Sequence, residues 1–309
     1  MNKYNQFLSI VIISTLLIMS AFGSNQNIII IPIIFIVMRI LFTRDVDEKM
    51  MYLLYFLPFS VVLKLSPNSI SFYSLFQVVY LIAIIYKKRM FSVKYLVSLT
   101  IFIIYIILIS FDNSPYPWNF IVKNMIWLTI LYFSLHFRGD QTFKNYTIAY
   151  VLGLIVSSLF GLFIDKIPRI YDYVIVSTIY ITSNDALIMR FSGLWNDPNM
   201  LALLILIGIS LLFGLYDSKQ LNLFEFLLII GLLIMFGLMT LSKMFLLGLT
   251  FIVVMYVFIK TKVRIDKGIT FALIFIILAF IIISISPTRI IETYIYRFFG
   301  FRSEEHTSE

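Results

Sequence analysis

The 309-residue chain has no cysteine, which excludes disulfides, thiolate metal sites and cysteine nucleophiles together. Its two histidines, His136 and His306, are too few for a zinc or di-iron centre, so neither a metal nor a cofactor is expected. Charge is scarce too: 13% of residues carry it, against about 25% in ordinary soluble domains. Nothing reads as a P-loop, a dinucleotide fingerprint or a nucleophile elbow, which leaves soluble-enzyme chemistry without support. Internal repeats and low-complexity segments are absent as well. What is there is hydrocarbon: 61% of residues are apolar and the mean hydropathy is +0.99, which excludes a water-soluble globular enzyme. The 24 Lys and Arg outnumber the 16 Asp and Glu, a net charge of +8. In a chain this apolar the excess is expected to orient it in a membrane rather than to bind nucleic acid.

A helix crossing about 30 Å of hydrocarbon needs about 20 mostly apolar residues. Eleven runs are candidates: 7–22, 27–42, 51–65, 69–86, 93–111, 118–136, 146–164, 199–216, 222–241, 244–259 and 269–285. They predict an all-α polytopic membrane protein, a single integral membrane domain over 1–301. The third run is short and ends at Lys64, Pro67 and Asn68. The first follows Lys3 and ends near Ala21 and Gly23; further spans follow at once and the cleavage signal is weak, so it is read as a retained span. Lys and Arg in short loops resist translocation. With the amino terminus inside, the inner side holds fourteen: Lys3, Arg44, Lys49, Lys87, Lys88, Arg89, Lys94, Arg138, Lys144, Lys219, Lys260, Lys262, Arg264 and Lys267. The outer side, up to the eleventh span, holds five: Lys64, Lys166, Arg169, Arg190 and Lys243. This bias predicts a cytoplasmic amino terminus and an outer segment after residue 285.

Most connections are a few residues long and have no room for a soluble domain. The exception is an outer loop over 165–198, with Asp165, Lys166, Arg169, Asp172, Asp185, Arg190 and Asp197. Its apolar stretch 174–182 is too short to span and is expected to lie along the membrane surface or against the bundle. A long charged loop on one face of a bundle is where function tends to sit. After an amphipathic segment over 286–301, residues 302–309 turn abruptly acidic and polar. That octapeptide reads as a non-native tail, a translated sequencing adapter, and the chain as a truncated one; His306 receives no role.

The most informative stretch is 190–199, Arg-Phe-Ser-Gly-Leu-Trp-Asn-Asp-Pro-Asn, which runs into the eighth span. Asp197 is a good helix N-cap, and Pro198 suits a first turn, where its missing N–H costs nothing. A helix end of that kind favours anions. Arg190 precedes it on a loop in which Gly193 is available for a tight turn, and an arginine can bind phosphate through two parallel charge-assisted bonds. Together they could hold a pyrophosphate at the membrane surface. The plainer alternative pairs Arg190 with Asp185, Asp197 or lipid head groups, and the Asp197 charge would itself repel an anion. A second feature is Leu241-Ser242-Lys243. Residues 222–259 are too long an apolar run for one crossing, so the chain must turn near 240–243, leaving Lys243 at the outer mouth. There it either snorkels or meets a neutralising partner.

Other conspicuous residues read as structural. Trp118, Trp127 and the many tyrosines fit interfacial belts, Arg39 snorkels from the inner end of its span, and Asp112 with its neighbours forms a short turn. Gly153, Ser157, Ser158 and Gly161 recur at helical spacing and predict close packing of the seventh span.

The stretch from Arg190 to Ala202 resembles the signature of the O-antigen ligase and polymerase family: an arginine, a glycine three residues on, then Pro-Asn opening a span with an alanine shortly after. The order of elements is similar too: several spans, a longer outer loop bearing that arginine, then two tightly joined spans with Ser followed by a basic residue. The resemblance covers roughly residues 50–301. It implies an enzyme of the outer face of the bacterial plasma membrane that transfers glycans carried on undecaprenyl pyrophosphate, with inversion and without a metal. Arg190 would bind the pyrophosphate and stabilise it as it leaves, while Gly193 and Asn199 would shape the pocket. Lys243 stands where the family commonly has arginine, keeping the charge but losing the fork. The family's further outer-loop arginine and its histidine base have no match; neither Arg289 nor Arg297 fits a motif. A polymerase of lipid-linked repeat units is the leading reading, and a ligase passing glycan to another acceptor the alternative. Its expected partners are the lipid-linked oligosaccharide, membrane lipids and other polysaccharide-assembly membrane proteins, not nucleic acid. A lipid-linked glycan transporter is the rival of a different class. It would be marked by inverted repeats and ionisable groups deep in the spans. A non-catalytic scaffold would leave Arg190 and Lys243 freely replaceable.

Overall fold

Helix stop signals are plain in the first third of the chain. Helix α1 (Ile30–Phe42) is apolar throughout most of its length and contains Pro32. Ile33, Ile36 and Ile40, three and four apart, form its buried face. The chain turns at Asp45, whose carboxylate accepts from the Asp47 amide at 3.0 Å and caps α2 (Val46–Phe56). Asp47 and Glu48 occupy the first turn of α2, where the helix dipole favours them. Helix α2 then gives way to a 3-10 turn, Leu57–Phe59, at Pro58. Helix α3 (Phe72–Lys88) follows. Further along come α4 (Asp140–Gly161), the strands β1 (Ile179–Ile181) and β2 (Leu187–Met189), and helices α5 (Pro198–Asp217), α6 (Leu223–Met239) and α7 (Lys243–Thr261). This computed structural model describes residues 30–43, 45–64, 71–88, 140–163, 179–181, 187–195 and 197–261, with Val11, Thr15 and Ile104.

The described residues are thus almost all helical. Two helices among them are long and apolar enough to cross a membrane, Phe143–Gly161 and Pro198–Asp217. Three shorter apolar helices, Ile30–Phe42, Leu223–Met239 and Lys243–Phe258, fall on expected spans. The expected spans 93–111, 118–136 and 269–285 lie outside the described residues, apart from Ile104, as does 7–22 apart from Val11 and Thr15. The third expected span takes a different form. Its α-helix has 11 residues, about 16 Å at 1.5 Å each, because a charged first turn and Pro58 bracket it. Part of the apolar stretch 174–182 pairs as a strand. Ile179, Tyr180 and Ile181 lie antiparallel to Met189, Ile188 and Leu187, a pairing suited to β-branched and aromatic residues flanking Ser183, Asn184 and Asp185.

The chain divides into two compact units, Met1–Gly153 with Phe163–Tyr173, and Leu154–Leu162 with Val174–Glu309. In the first, the core is aromatic: Tyr55, Phe56, Phe59, Tyr73 and Phe76 are buried and meet edge-on or stacked. Polar tips of these rings are tied down, as buried hydroxyls require. Tyr73 donates to the Leu53 carbonyl at 2.9 Å, Tyr55 bonds Thr15 at 2.9 Å, and Tyr146 of α4 donates to Asp47 at 2.9 Å. Arg39 and Glu48 pair at 3.5 Å across the turn from α1 to α2. Gly153 permits the close approach of α4, since a Cβ there would stand 2.2 Å from the Tyr55 carbonyl oxygen.

In the second unit α6 and α7 both pack on α5. Asn222 and Glu225 form a reciprocal capping box that starts α6. The turn from α6 to α7 falls at 240–242, where the sequence requires it, with Leu241 in the left-handed region at φ 50°. Gly237 leaves room for the Phe245 ring and Gly248 for Leu206. At the far end of α7, Lys260 and Tyr256 both bond the Asp217 carboxylate, and that contact holds the Lys260 ammonium above its ordinary pKa.

Candidate functional site

The segment leaving β2 is fastened to the end of α6 before it reaches α5. The Phe191 amide donates to the Met239 carbonyl at 3.2 Å, and the Phe191 ring stacks on Phe236 with centroids 6.0 Å apart. The chain then turns tightly, closed by the Trp195 amide on the Ser192 carbonyl at 3.0 Å. Gly193 makes that turn at φ +60°, a conformation that costs glycine little and other residues more. Space is tight there as well: a Cβ on Gly193 would stand 3.2 Å from the Leu201 side chain, and one on Gly161 of α4 would come within 2.5 Å of the Gly193 Cα. The predicted close packing of the seventh span is therefore met at Gly153 against a helix and at Gly161 against a loop.

Fastening the loop swings Arg190 inward. Its Nε donates to the Thr240 carbonyl at 3.0 Å and its Nη2 to Asn199 Oδ1 at 2.9 Å. The first bond serves one of the last carbonyls of α6, groups that have no helical donor of their own. The positive charge also sits at the favourable end of the α6 dipole. Ser242 Oγ reaches the same Asn199 oxygen at 2.8 Å. The turn that delivers it is internally braced, with Thr240 Oγ1 donating to the Gly237 carbonyl at 2.7 Å and accepting from the Ser242 amide at 3.3 Å. Arg190 is 4% exposed and Ser242 and Thr240 are 0% exposed.

Three of the expected site residues, Arg190, Gly193 and Asn199, are thus brought together around the first turn of α5. Lys243 is next to Ser242 in sequence but exposed, as the first residue of α7. The alternative pairing of Arg190 with Asp197 is not what forms. Asp197 accepts the Asn199 amide at 2.8 Å as the α5 N-cap, and Arg190 turns to Asn199 instead. Asp185 lies outside the described residues. Two partners were not legible beforehand. The Thr240 carbonyl is backbone and leaves no trace in residue type, and Ser242 was conspicuous only as the neighbour of Lys243. Among the described residues, His, Asp and Glu side chains form no cluster that could hold a metal ion. In comparisons with known proteins the chain matches no protein family, no curated protein and no solved structure.

Proposed function

We propose that this chain is a multi-pass enzyme of the bacterial plasma membrane that polymerises undecaprenyl-pyrophosphate-linked oligosaccharide at the outer face, by inverting, metal-independent glycosyl transfer. The observation that carries the reading is the convergence of Arg190, Asn199 and Ser242 at one end of the α5, α6 and α7 bundle. Membrane residence is supported by apolar side chains on the outside of these helices, with Phe224 75% exposed and Leu247 and Phe251 each 65% exposed, a surface that water would penalise. The interiors of α5, α6 and α7 carry no Asp, Glu, Lys or Arg; Asp217, Glu225, Lys243 and Lys260 all fall in terminal turns. That distribution suits chemistry at the interface better than a transport path through the spans.

In this reaction the acceptor hydroxyl attacks the anomeric carbon and gives its proton to solvent as the bond to the pyrophosphate oxygen breaks. Negative charge grows on the leaving pyrophosphate, and preorganised positive charge lowers the barrier most where water is excluded. Arg190 supplies that charge without reorganising, because its bonds to Thr240 and Asn199 already fix it. Exposed Lys243 would meet the diphosphate from the solvent side. The test is elongation of lipid-linked oligosaccharide in reconstituted membranes containing the full chain. A ladder of longer products, unchanged by a chelator and lost in Arg190→Ala, is the expected result; no elongation by the wild-type chain overturns the proposal.

A further inference from the structure

The geometry points to the Asn199 carboxamide, rather than the Arg190 guanidinium, as the group that touches a phosphate oxygen of the ligand, with Arg190 and Ser242 as the residues that position it. This inference rests on the pyrophosphate-lipid reading above. Arg190 is 4% exposed and already donates to the Thr240 carbonyl and to Asn199. A guanidinium has donors only, so the Asn199 atom that faces it is the amide oxygen. The fully buried Ser242 hydroxyl approaches that same oxygen at 2.8 Å. With two donors on one oxygen, a planar carboxamide keeps one orientation, and its NH2 branch turns away from both. Asn199 is part-exposed where Arg190 and Ser242 are buried, and among the described residues its Nδ2 makes no hydrogen bond.

The outcome is a pair of N–H donors presented from the first turn of α5 with a buried cation behind their carbonyl. A charge-assisted bond to an amide oxygen polarises the amide and strengthens its N–H groups as donors. Arg190 thus acts through Asn199 as well as through space, and an anionic oxygen meets a neutral, fixed donor rather than a flexible cation. The exposed Asp197 carboxylate is the one group among these that opposes an anion, and its bond to the Asn199 amide ties it to the helix start.

The experiment titrates the full chain in lipid nanodiscs with labelled undecaprenyl pyrophosphate, at about 0.1 M and about 1 M salt, where the screening length falls from about 10 Å to about 3 Å. Asn199→Asp keeps an oxygen for Arg190 and Ser242 and replaces the NH2 by a second oxygen. It is expected to bind at least about tenfold more weakly at both salt concentrations, since a hydrogen bond to a charged group is lost, with a melting temperature no lower than wild type. Unchanged binding overturns the inference, and so does a loss confined to low salt, which would be long-range repulsion by the new charge. Ser242→Ala is expected to weaken binding about threefold by loosening the amide, and Ser242→Thr to restore it through its hydroxyl. Failure of that rescue removes Ser242 from a positioning role. A wild-type chain that does not bind the probe overturns the enzyme reading and this inference together, whereas wild-type binding with an intact Asn199→Asp overturns this inference alone.

Discussion

The two units bury polar groups in different ways. In the first, hydroxyls join segments within an aromatic core, Tyr73 to the Leu53 carbonyl, Tyr55 to Thr15 and Tyr146 to Asp47, and the buried Lys49 donates to the Leu41 carbonyl at 3.3 Å. Such bonds satisfy a polar tip and fix helix register. In the second, a charged side chain from a loop, an amide from the start of α5 and a hydroxyl from the turn before α7 converge on a single oxygen. Positions 9, 43 and 50 residues apart are held there at the cost of burying a guanidinium. The contrast teaches that burial alone does not mark function. The informative feature is a buried charge whose partners come from several elements and meet at the edge of the bundle.

The largest expected effect is on activity in the second unit. Arg190→Ala should lower glycosyl transfer by about 100- to 1000-fold, the range for removing one preorganised electrostatic group. It should also cost about 1–3 kcal/mol of stability through stranded acceptors; product ladders and thermal melts read the two separately. An Arg190→Ala chain with full activity would erase the distinction between the units. Next comes a steric test of the first unit. Gly153→Ala forces a methyl group against the Tyr55 carbonyl and should destabilise by about 1–3 kcal/mol, visible as a lowered melting temperature. Gly231→Ala in α6 meets nothing within 4 Å and should be neutral or stabilising by up to about 1 kcal/mol. Equal effects of the two would show that glycine matters through helix propensity alone.

Asp197→Ala removes the α5 cap and should cost about 1 kcal/mol. By lifting a carboxylate from beside the site it should also tighten pyrophosphate binding, which sets it apart from a purely structural lesion. The smallest effect belongs to Lys260→Ala. Its contact with Asp217 is exposed, exposed pairs contribute little, and no change in melting temperature is expected.

Much of the second unit was legible beforehand because its signals are local. Asp197-Pro198 marks a helix start through capping chemistry, and Gly193 marks a turn through its backbone freedom. An apolar run too long for one helix must break, and it breaks at 240–242. The strand pairing of 179–181 with 187–189 was less legible, since a short apolar stretch has no period long enough to separate strand from surface helix. The short α2 was obscured in the same way, because hydropathy smooths over the Pro58 that ends the helix.

The sequence by itself determined the helical character of most described segments, the start of α5, the turn between α6 and α7, and the residue types available near the α5 start. These follow from hydrophobic periodicity, capping and proline or glycine geometry, all of which act within a few residues. Only the tertiary structure decided that Arg190 is buried, that it bonds Asn199 and a backbone carbonyl rather than Asp197, and that Ser242 completes the cluster. Those contacts link positions 9, 43 and 50 residues apart, and which oxygen a guanidinium finds at that range depends on where packed helices bring the chain, not on the residues beside it.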